Sequence, residues 1–289
     1  MPPTPASHKL LELARSVLTP YSHLPGVACA AITGSSSKGR SDAYSDIDTT
    51  IYYSQMPPGQ DIRAIREKVG GGPLILNMGS PIEGEFIESF RVKGVEVQIG
   101  HTTLACWERD MATVLEAKEV ATPLHKAMSG TLTSIAICGE PLLESWKARI
   151  RDFPDALAVA MVRHYLRFFA VWGVIDRLER RDAGLWVRQS LLDGSFNILG
   201  TLAGLNRQYF TTFQFKLTGK FIASLRLAPP NLYERLGALW ALPLREAAVQ
   251  LRSLVAETAD LVEKHMPEVD TAACRKALVR NDQPVAWLA

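Results

Sequence analysis

The chain reads ITGSSSKGRSDAYSDID from Ile32 to Asp48, and this stretch decides the fold prediction. It overlaps a short apolar run at residues 27–33, whose length and composition are typical of a buried strand. The small residues 34–39 end that run as a loop. The next run, at residues 48–53, is rich in β-branched and aromatic side chains and predicts a second strand. The stretch is therefore interpreted as a loop that joins two strands.

The flanking sequence predicts further elements. Leucines at helical spacing predict a helix at residues 7–18, which Thr19-Pro20 closes. Residues 61–69 predict another helix, and alternation at 85–92 and 95–99 predicts two strands joined by a tight turn. From about residue 102 the pattern is helical, and its strongest segments are 102–118, 140–151, 155–181, 185–209, 216–227 and 243–265.

These elements predict an α+β protein with two domains. Residues 1–135 would form a small mixed-sheet domain, and residues 136–289 a mostly α-helical domain. The joint is expected between Ser129-Gly130 and Gly139-Glu140-Pro141, because loop-forming residues gather there. The length of 289 residues, 47% of them hydrophobic, is sufficient for two modest cores.

The overall charge does not point to any particular class of partner. The 32 basic residues nearly balance the 30 acidic ones, so nothing demands a nucleic-acid or membrane partner. Residues 1–140 hold 12 Lys and Arg against 15 Asp and Glu, and the remainder holds 20 against 15. This asymmetry could help to clamp a metal–triphosphate, or it could be incidental.

Other features indicate a cytoplasmic protein without a membrane segment. The four cysteines lie far apart and lack zinc-ligand spacing, which is typical of free thiols in a reducing compartment. The N-terminus lacks the build of a signal peptide, and charged residues interrupt the longest apolar stretches. The oligomeric state stays open.

The chemistry-bearing residues are Gly34-Ser35 and, ten residues later, Asp46-Ile47-Asp48. Glycine with serine lets backbone N–H groups approach phosphate oxygens closely. Two aspartates at i and i+2 on a strand point to the same face, so both carboxylates can hold one hard cation. Divalent ions that bridge these carboxylates and a triphosphate would neutralise charge in an in-line displacement at phosphorus.

A third carboxylate is expected on a neighbouring strand, and Glu96 is the first candidate. It stands between Val95 and Val97, so it would face away from the core. The alternative is that Glu96 lies on the solvated face of an amphipathic strand. Three other acids, Glu83, Glu85 and Glu88, compete for the same role.

The same loop also resembles a different phosphate-binding motif. Residues 34–41 are one substitution from the P-loop pattern GxxxxGK[ST], with Arg40 in the lysine position. A P-loop opens directly into a helix, whereas the strand at residues 48–53 leaves no room for one. Arginine is also a poor replacement for the compact lysine ammonium. The P-loop interpretation is therefore not favoured.

The glycine–serine pair, the spaced aspartates and Glu96 together resemble the DNA polymerase β-type nucleotidyltransferase superfamily. The short α/β region with a helical tail is similar to the bacterial antibiotic nucleotidyltransferases, which act on aminoglycosides or lincosamides. The resemblance covers residues 27–54 well and 95–99 loosely.

The resemblance implies roles for individual residues. Gly34-Ser35 would bind the triphosphate, and Asp46 and Asp48 would ligate magnesium. Glu96 would act as a metal ligand, as the general base, or as both. Two loop cations would contact phosphates or remain solvated; they are Lys38 and Arg40.

The helical half contributes one further candidate cluster. Asn206 and Arg207 offer polar groups beside a predicted helix end. Lys216 and Lys220 are expected to form an i, i+4 pair on one helix face. These residues could contact the triphosphate or the base, and the alternative is an ordinary solvated helix surface.

The expected function is Mg²⁺-dependent transfer of a nucleoside monophosphate, with AMP from ATP favoured over other NTPs. The acceptor would be a hydroxyl of a small molecule such as an antibiotic, with two Mg²⁺ ions bound and pyrophosphate released. A tRNA end or a protein is an alternative acceptor, although no dense basic-aromatic surface favours nucleic acid. The remaining alternative is a non-catalytic nucleotide-binding protein, which would not need three converging acids.

Overall fold

The computed structural model describes residues 2–283. The chain divides into two compact units. The first comprises Met1–Ala117 and Ala127–Asp152, and the second comprises Lys118–Lys126 and Phe153–Ala289. The domain limit expected at residue 135 stays a prediction.

One mixed sheet forms the centre of the first unit. Its strands in chain order are β1 (Val27–Ile32), β2 (Ile47–Tyr53), β3 (Leu76–Ser80), β4 (Glu85–Val92), β5 (Val95–Thr103) and β6 (Ile135–Cys138). Their spatial order is β3-β4-β5-β2-β1-β6. Strands β2 and β5 are parallel, and the other neighbouring pairs are antiparallel. The α+β class and the mixed sheet expected from the sequence are confirmed.

The described residues of the first unit also form helices. They are α1 (Pro5–Tyr21), α2 (Gly34–Ser37), α3 (Gly59–Lys68), α4 (Leu104–Leu115), α5 (Leu124–Thr131) and α6 (Glu140–Arg151), with a 3₁₀ turn at Pro81–Glu83. Helix α5 belongs to this unit only in part. Thr4 caps α1 by accepting a hydrogen bond from the backbone N–H of Ser7. The sequence predicted that Thr19-Pro20 closes α1, but the helix continues to Tyr21. The backbone N–H of Ser22 donates to the Leu18 carbonyl oxygen, so the last turn of the helix keeps a hydrogen bond despite Pro20.

The two faces of the sheet differ in chemistry. Side chains alternate along each strand, so Ile47, Ile51, Val97 and Ile99 share one face, which we call the core face. They pack with buried residues of α1 such as Leu18. The opposite face carries Asp48, Glu96 and Gln98, and we call it the acid face. The amphipathic strands therefore turn Asp48 and Glu96 away from the core.

A buried polar network lies within the core face. The Glu88 carboxylate accepts hydrogen bonds from Arg66 (2.7 Å) and Tyr21 (3.3 Å), and His101 Nε2 lies 3.4 Å from it. Tyr53 and His101 Nδ1 are 2.8 Å apart. Burial alone would raise the pKa of Glu88, but His101 and Arg66 outweigh it and hold that pKa below its usual value. Burial lowers the pKa of His101 and outweighs the opposing effect of Glu88.

The first residues of α5 belong to the second unit, and the other regular elements described in this unit are also helices. They are α7 (Asp155–Tyr165), α8 (Val171–Glu179), α9 (Gly184–Leu205), α10 (Thr218–Ala223), α11 (Leu232–Ala238), α12 (Leu244–His265) and α13 (Ala272–Leu278). Helix α9 is buried along most of its length and packs against α7, α8 and α12. Small residues permit this close approach, as at Gly200 against the Tyr165 ring. Every helix within residues 2–283 is too short or too polar to cross a lipid bilayer.

Several predicted elements were wrong in detail. The segment 155–181 is two helices, because residues 166–170 leave the helical path and the Arg167 carbonyl accepts a hydrogen bond from Asn197 of α9. The loop expected between residues 129 and 141 contains the end of α5 and strand β6, which pairs with β1. Strand β3 was not predicted. In each case a contact distant in sequence decides the local structure.

Candidate active site

The site begins where β1 ends. The backbone N–H of Thr33 donates to the Asp48 carbonyl oxygen at 2.8 Å, which brings the glycine–serine pair against β2. This pair was expected in a loop, but it begins the four-residue helix α2; we call this first turn of α2 the Gly34 turn. Gly34 has a φ of +69°, and a Cβ added there would lie 2.0 Å from Asp48 Oδ2. Glycine is therefore required at this position both by the backbone and by the carboxylate. The turn and the second aspartate of the motif are in direct contact.

Gln98 connects the other two acids of the site, Asp46 and Glu96. Its side-chain amide donates to Asp46 Oδ2 at 3.2 Å and to Glu96 Oε1 at 3.4 Å. Asp48 and Gln98 are Cα partners in the parallel β2–β5 pair. All four side chains therefore lie together on the acid face, and the three acids Asp46, Asp48 and Glu96 are each partly exposed.

The sheet separates Glu96 from its rivals. Glu88 is buried on the core face and bound by Arg66, so the orientation of β4 directs it away from Asp48. Glu85 is exposed and lies 3.5 Å from Arg109, and Glu83 is an exposed residue of the 3₁₀ turn. Among these four glutamates, Glu96 is the one that shares a hydrogen-bonding partner with an aspartate of the motif.

A cluster of hydroxyl groups holds the loop after α2. The backbone N–H of Ser41 donates to Ser7 Oγ at 2.8 Å, and Thr4 Oγ1 donates to the Ser41 carbonyl oxygen at 2.7 Å. The Ser41 hydroxyl also lies 3.1 Å from that of Ser35 and 3.3 Å from that of Ser36. The start of α1 therefore fixes the segment that separates Ser35 from Asp46.

The loop after α2 exposes its two cations and lacks the helix of a P-loop. Lys38 and Arg40 have exposed side chains, and the Arg40 backbone N–H donates to the Ser35 carbonyl oxygen. Residues 38–46 contain a turn and no helix, and β2 begins at Ile47. A P-loop needs a helix at that point, so the structure agrees with the rejection of this alternative.

The residues expected from the helical half all belong to the second unit. The Asn206 side chain is engaged by its own unit: it donates to the Leu202 and Leu227 carbonyl oxygens and accepts from the Arg226 and Leu227 N–H groups. Arg207 binds the Asp155 carboxylate, with Nε 3.0 Å from Oδ1. These partners indicate that Asn206 has a structural role.

The expected lysine pair on one helix face was wrong. Helix α10 begins at Thr218, after Leu217 adopts a left-handed conformation, so Lys216 precedes the helix that contains Lys220. The exposed side chain of Lys216 therefore does not share a helical face with Lys220.

The acids fit a magnesium ion that shares its coordination with a substrate. Within residues 2–283, no three His, Cys, Asp or Glu side chains gather closely enough to form a complete metal site. Magnesium, however, is usually held by one or two carboxylates together with substrate phosphates. Asp46 and Asp48 offer two such hard oxygen donors beside the Gly34 turn. Glu96 as a third ligand stays a prediction.

Comparison with known proteins adds little to this geometry. No protein-family model matches the chain, and no curated protein matches it. Among solved structures, the chain is similar to a nucleotidyltransferase-like protein from Exiguobacterium sibiricum 255-15. The identity is 14%, the match covers 90% of this chain and 80% of that chain, and the TM-score is 0.37. At this level the similarity carries no argument about activity.

Sequence reasoning missed Gln98 and the serine cluster. Gln98 stands two residues after Glu96, so the alternation of β5 already placed the two side chains on one face. Thr4 and Ser7 had the spacing of a helix cap, which could have predicted one of their bonds. The bonds to Ser41 had no local signal, because 34 residues separate it from Ser7.

Proposed function

We propose that this protein is a Mg²⁺-dependent nucleotidyltransferase that moves a nucleoside monophosphate onto a hydroxyl of a small-molecule acceptor. ATP is the favoured donor, and AMP the favoured group. The observation that carries the proposal is the contact of the Gly34 turn with Asp48, next to Asp46 and Glu96 joined by Gln98. A turn that can bind phosphate thus lies beside carboxylates suited to a hard cation.

The chemistry is an in-line displacement at the α-phosphorus. The acceptor hydroxyl oxygen forms a bond to this phosphorus, the bond to the oxygen that bridges to the β-phosphate breaks, and pyrophosphate leaves. Glu96 takes the hydroxyl proton, and the backbone N–H groups of Gly34-Ser35 bind phosphate oxygens. When bound by Asp46, Asp48 and the triphosphate, magnesium would neutralise the charge around phosphorus. Gln98 keeps Glu96 close to Asp46.

Product formation tests the proposal directly. The protein is incubated with Mg²⁺, each labelled NTP, and panels of aminoglycosides, lincosamides, tRNA and proteins. We expect label on a small acceptor, release of pyrophosphate, and a loss of about 100-fold or more in Asp48→Asn. Label on tRNA or protein would instead support the macromolecular alternative.

Asp42→Asn is the matched control. Asp42 lies in the same loop and is exposed, and its Oδ1 accepts from the Tyr44 N–H, which asparagine can preserve. Its turnover should stay within about twofold of the native rate. Substantial turnover in Asp48→Asn at saturating Mg²⁺ would refute the mechanism.

A further inference from the structure

Gly100 is a glycine that the fold does not require. It lies inside β5 on the acid face, with Thr50 of β2 and Ile87 of β4 as Cα partners. Its φ is outside the left-handed region, and an added Cβ would find its nearest atoms, in Thr49 and Thr50, 3.7 Å away. Glycine weakens a strand interior and often marks the close approach of a ligand. The absence of a side chain at Gly100 therefore leaves room for a ligand against the acid face of the sheet.

An exposed apolar surface adjoins Gly100 on the same face. Met78 pairs with Ile87, which pairs with Gly100, and Leu76 lies on the same side of β3. We call Leu76, Met78 and Ile87 the apolar platform; they are 40%, 58% and 37% exposed. Beside it, the Ser89 hydroxyl is buried and has no hydrogen-bonding partner within the described chain. Gly100 and the platform therefore form one exposed apolar surface on the acid face, with the Ser89 hydroxyl buried next to it.

The acids separate this platform from the phosphate-binding turn. The Gly34 turn follows β1, which neighbours β2 on the side away from β5. The platform is on β4 and β3, beyond β5. Neighbouring strands are about 4.8 Å apart, so Ile87 stands about 10 Å from the β2 row that contains the aspartates. A donor at the turn and a second molecule on the platform would meet at the acids.

We propose that Gly100 and the apolar platform bind the acceptor, a small molecule with a flat, uncharged apolar face and a hydroxyl group. Gly100 leaves room for a ring on the sheet, and Ile87 and Met78 pack against its apolar part. The hydroxyl then extends toward Glu96, the proposed base. The triphosphate occupies the opposite side of the acids, so the platform is left to the acceptor. This assignment rests on the proposed function.

A neutral apolar dye, N-phenyl-1-naphthylamine, tests the site without turnover. The native protein should bind it with enhanced fluorescence. Ile87→Ser combined with Met78→Ser should weaken binding at least tenfold, as should Gly100→Val, which fills the space above the strand. Gly100→Val should also raise Tm by about 2 °C, because it removes a strand glycine. A loss of binding in a stabilised variant cannot be attributed to unfolding.

The control is Val249→Ser, which alters an equally exposed apolar residue (58%) of α12 and should leave dye affinity within twofold. Unchanged affinity in both platform variants would overturn the proposal. Displacement of the dye by ATP would assign the platform to a nucleobase, and a smaller mass of the Met78→Ser variant in solution would assign it to a second copy; either would also overturn it. Failure of the native protein to bind labelled ATP with Mg²⁺ would refute the proposed function and the acceptor role with it, whereas the dye measurements would still decide whether the platform binds a ligand.

Discussion

At the scale of single residues, the contact between Gly34 and Asp48 is the most constrained feature of the candidate site. Two features exclude a side chain at Gly34: its backbone is left-handed, and an added Cβ would lie only 2.0 Å from Asp48 Oδ2. Gln98 provides the complementary constraint by binding Asp46 and Glu96 at once. Gly34 thus leaves room for the Asp48 carboxylate, and Gln98 holds the carboxylates of Asp46 and Glu96 together.

Gly34→Ala should destabilise the protein more than Gly94→Ala. Both glycines have positive φ, but an added Cβ at Gly94 meets nothing within 4 Å. Backbone strain alone costs about 1 kcal/mol, and displacement of Asp48 should at least double the loss at Gly34. Urea unfolding of the two variants measures the difference. Equal losses would show that the contact with Asp48 is readily relieved.

At the scale of elements, the first turn of α1 determines the path of the loop between β1 and β2. Ser7 is fully buried and binds the backbone of Ser41, while Thr4 both caps the helix and binds the Ser41 carbonyl.

The strands that carry the site were predicted well, since β1, β2, β4 and β5 have alternating or apolar patterns. Strands β3 and β6 were missed, because β3 is largely exposed and β6 has only four residues.

Ser7→Ala should lower the free energy of unfolding by about 1–3 kcal/mol, because it leaves the buried Ser41 N–H without an acceptor. Ser16→Ala in the same helix is the control: its exposed hydroxyl donates only to the Leu13 carbonyl, so the loss should stay within about 0.5 kcal/mol. Chemical denaturation compares the two. A loss at Ser7 no larger than that at Ser16 would mean that α1 does not hold the loop.

At the scale of the whole molecule, buried titratable groups connect stability to pH. His101 in the first unit and His125 in the second are fully buried or nearly so, and burial lowers the pKa of each below 6.5. Glu88 has a lowered pKa for a different reason, since its ion pair outweighs its burial. The two effects act in the same direction when acid is added.

Stability should fall as the pH drops from 7 to 4. The unfolded histidines take up protons near pH 6.5 while the folded ones do not, so acid favours the unfolded chain from that pH downward. Below about pH 4.5 the unfolded chain also protonates Glu88 first, which adds to the loss. Urea unfolding across this range measures the profile.

His101→Gln should flatten the part of this profile between pH 6.5 and 5. His8→Gln, at an exposed position, should keep the native slope. A native profile that is flat over this interval would contradict the prediction.

The sequence by itself determined the α+β class, four of the six strands, and the placing of Asp48 on a strand beside a glycine–serine turn. These features follow from periodicity and residue type, which are local properties of the chain. Only the tertiary structure decided that Glu88 is enclosed in the core, while Glu96 and Asp46 both accept hydrogen bonds from Gln98. It also decided that the Asn206 side chain binds backbone groups of its own unit. Strand order and register set those contacts, because they bring together residues that no local pattern relates.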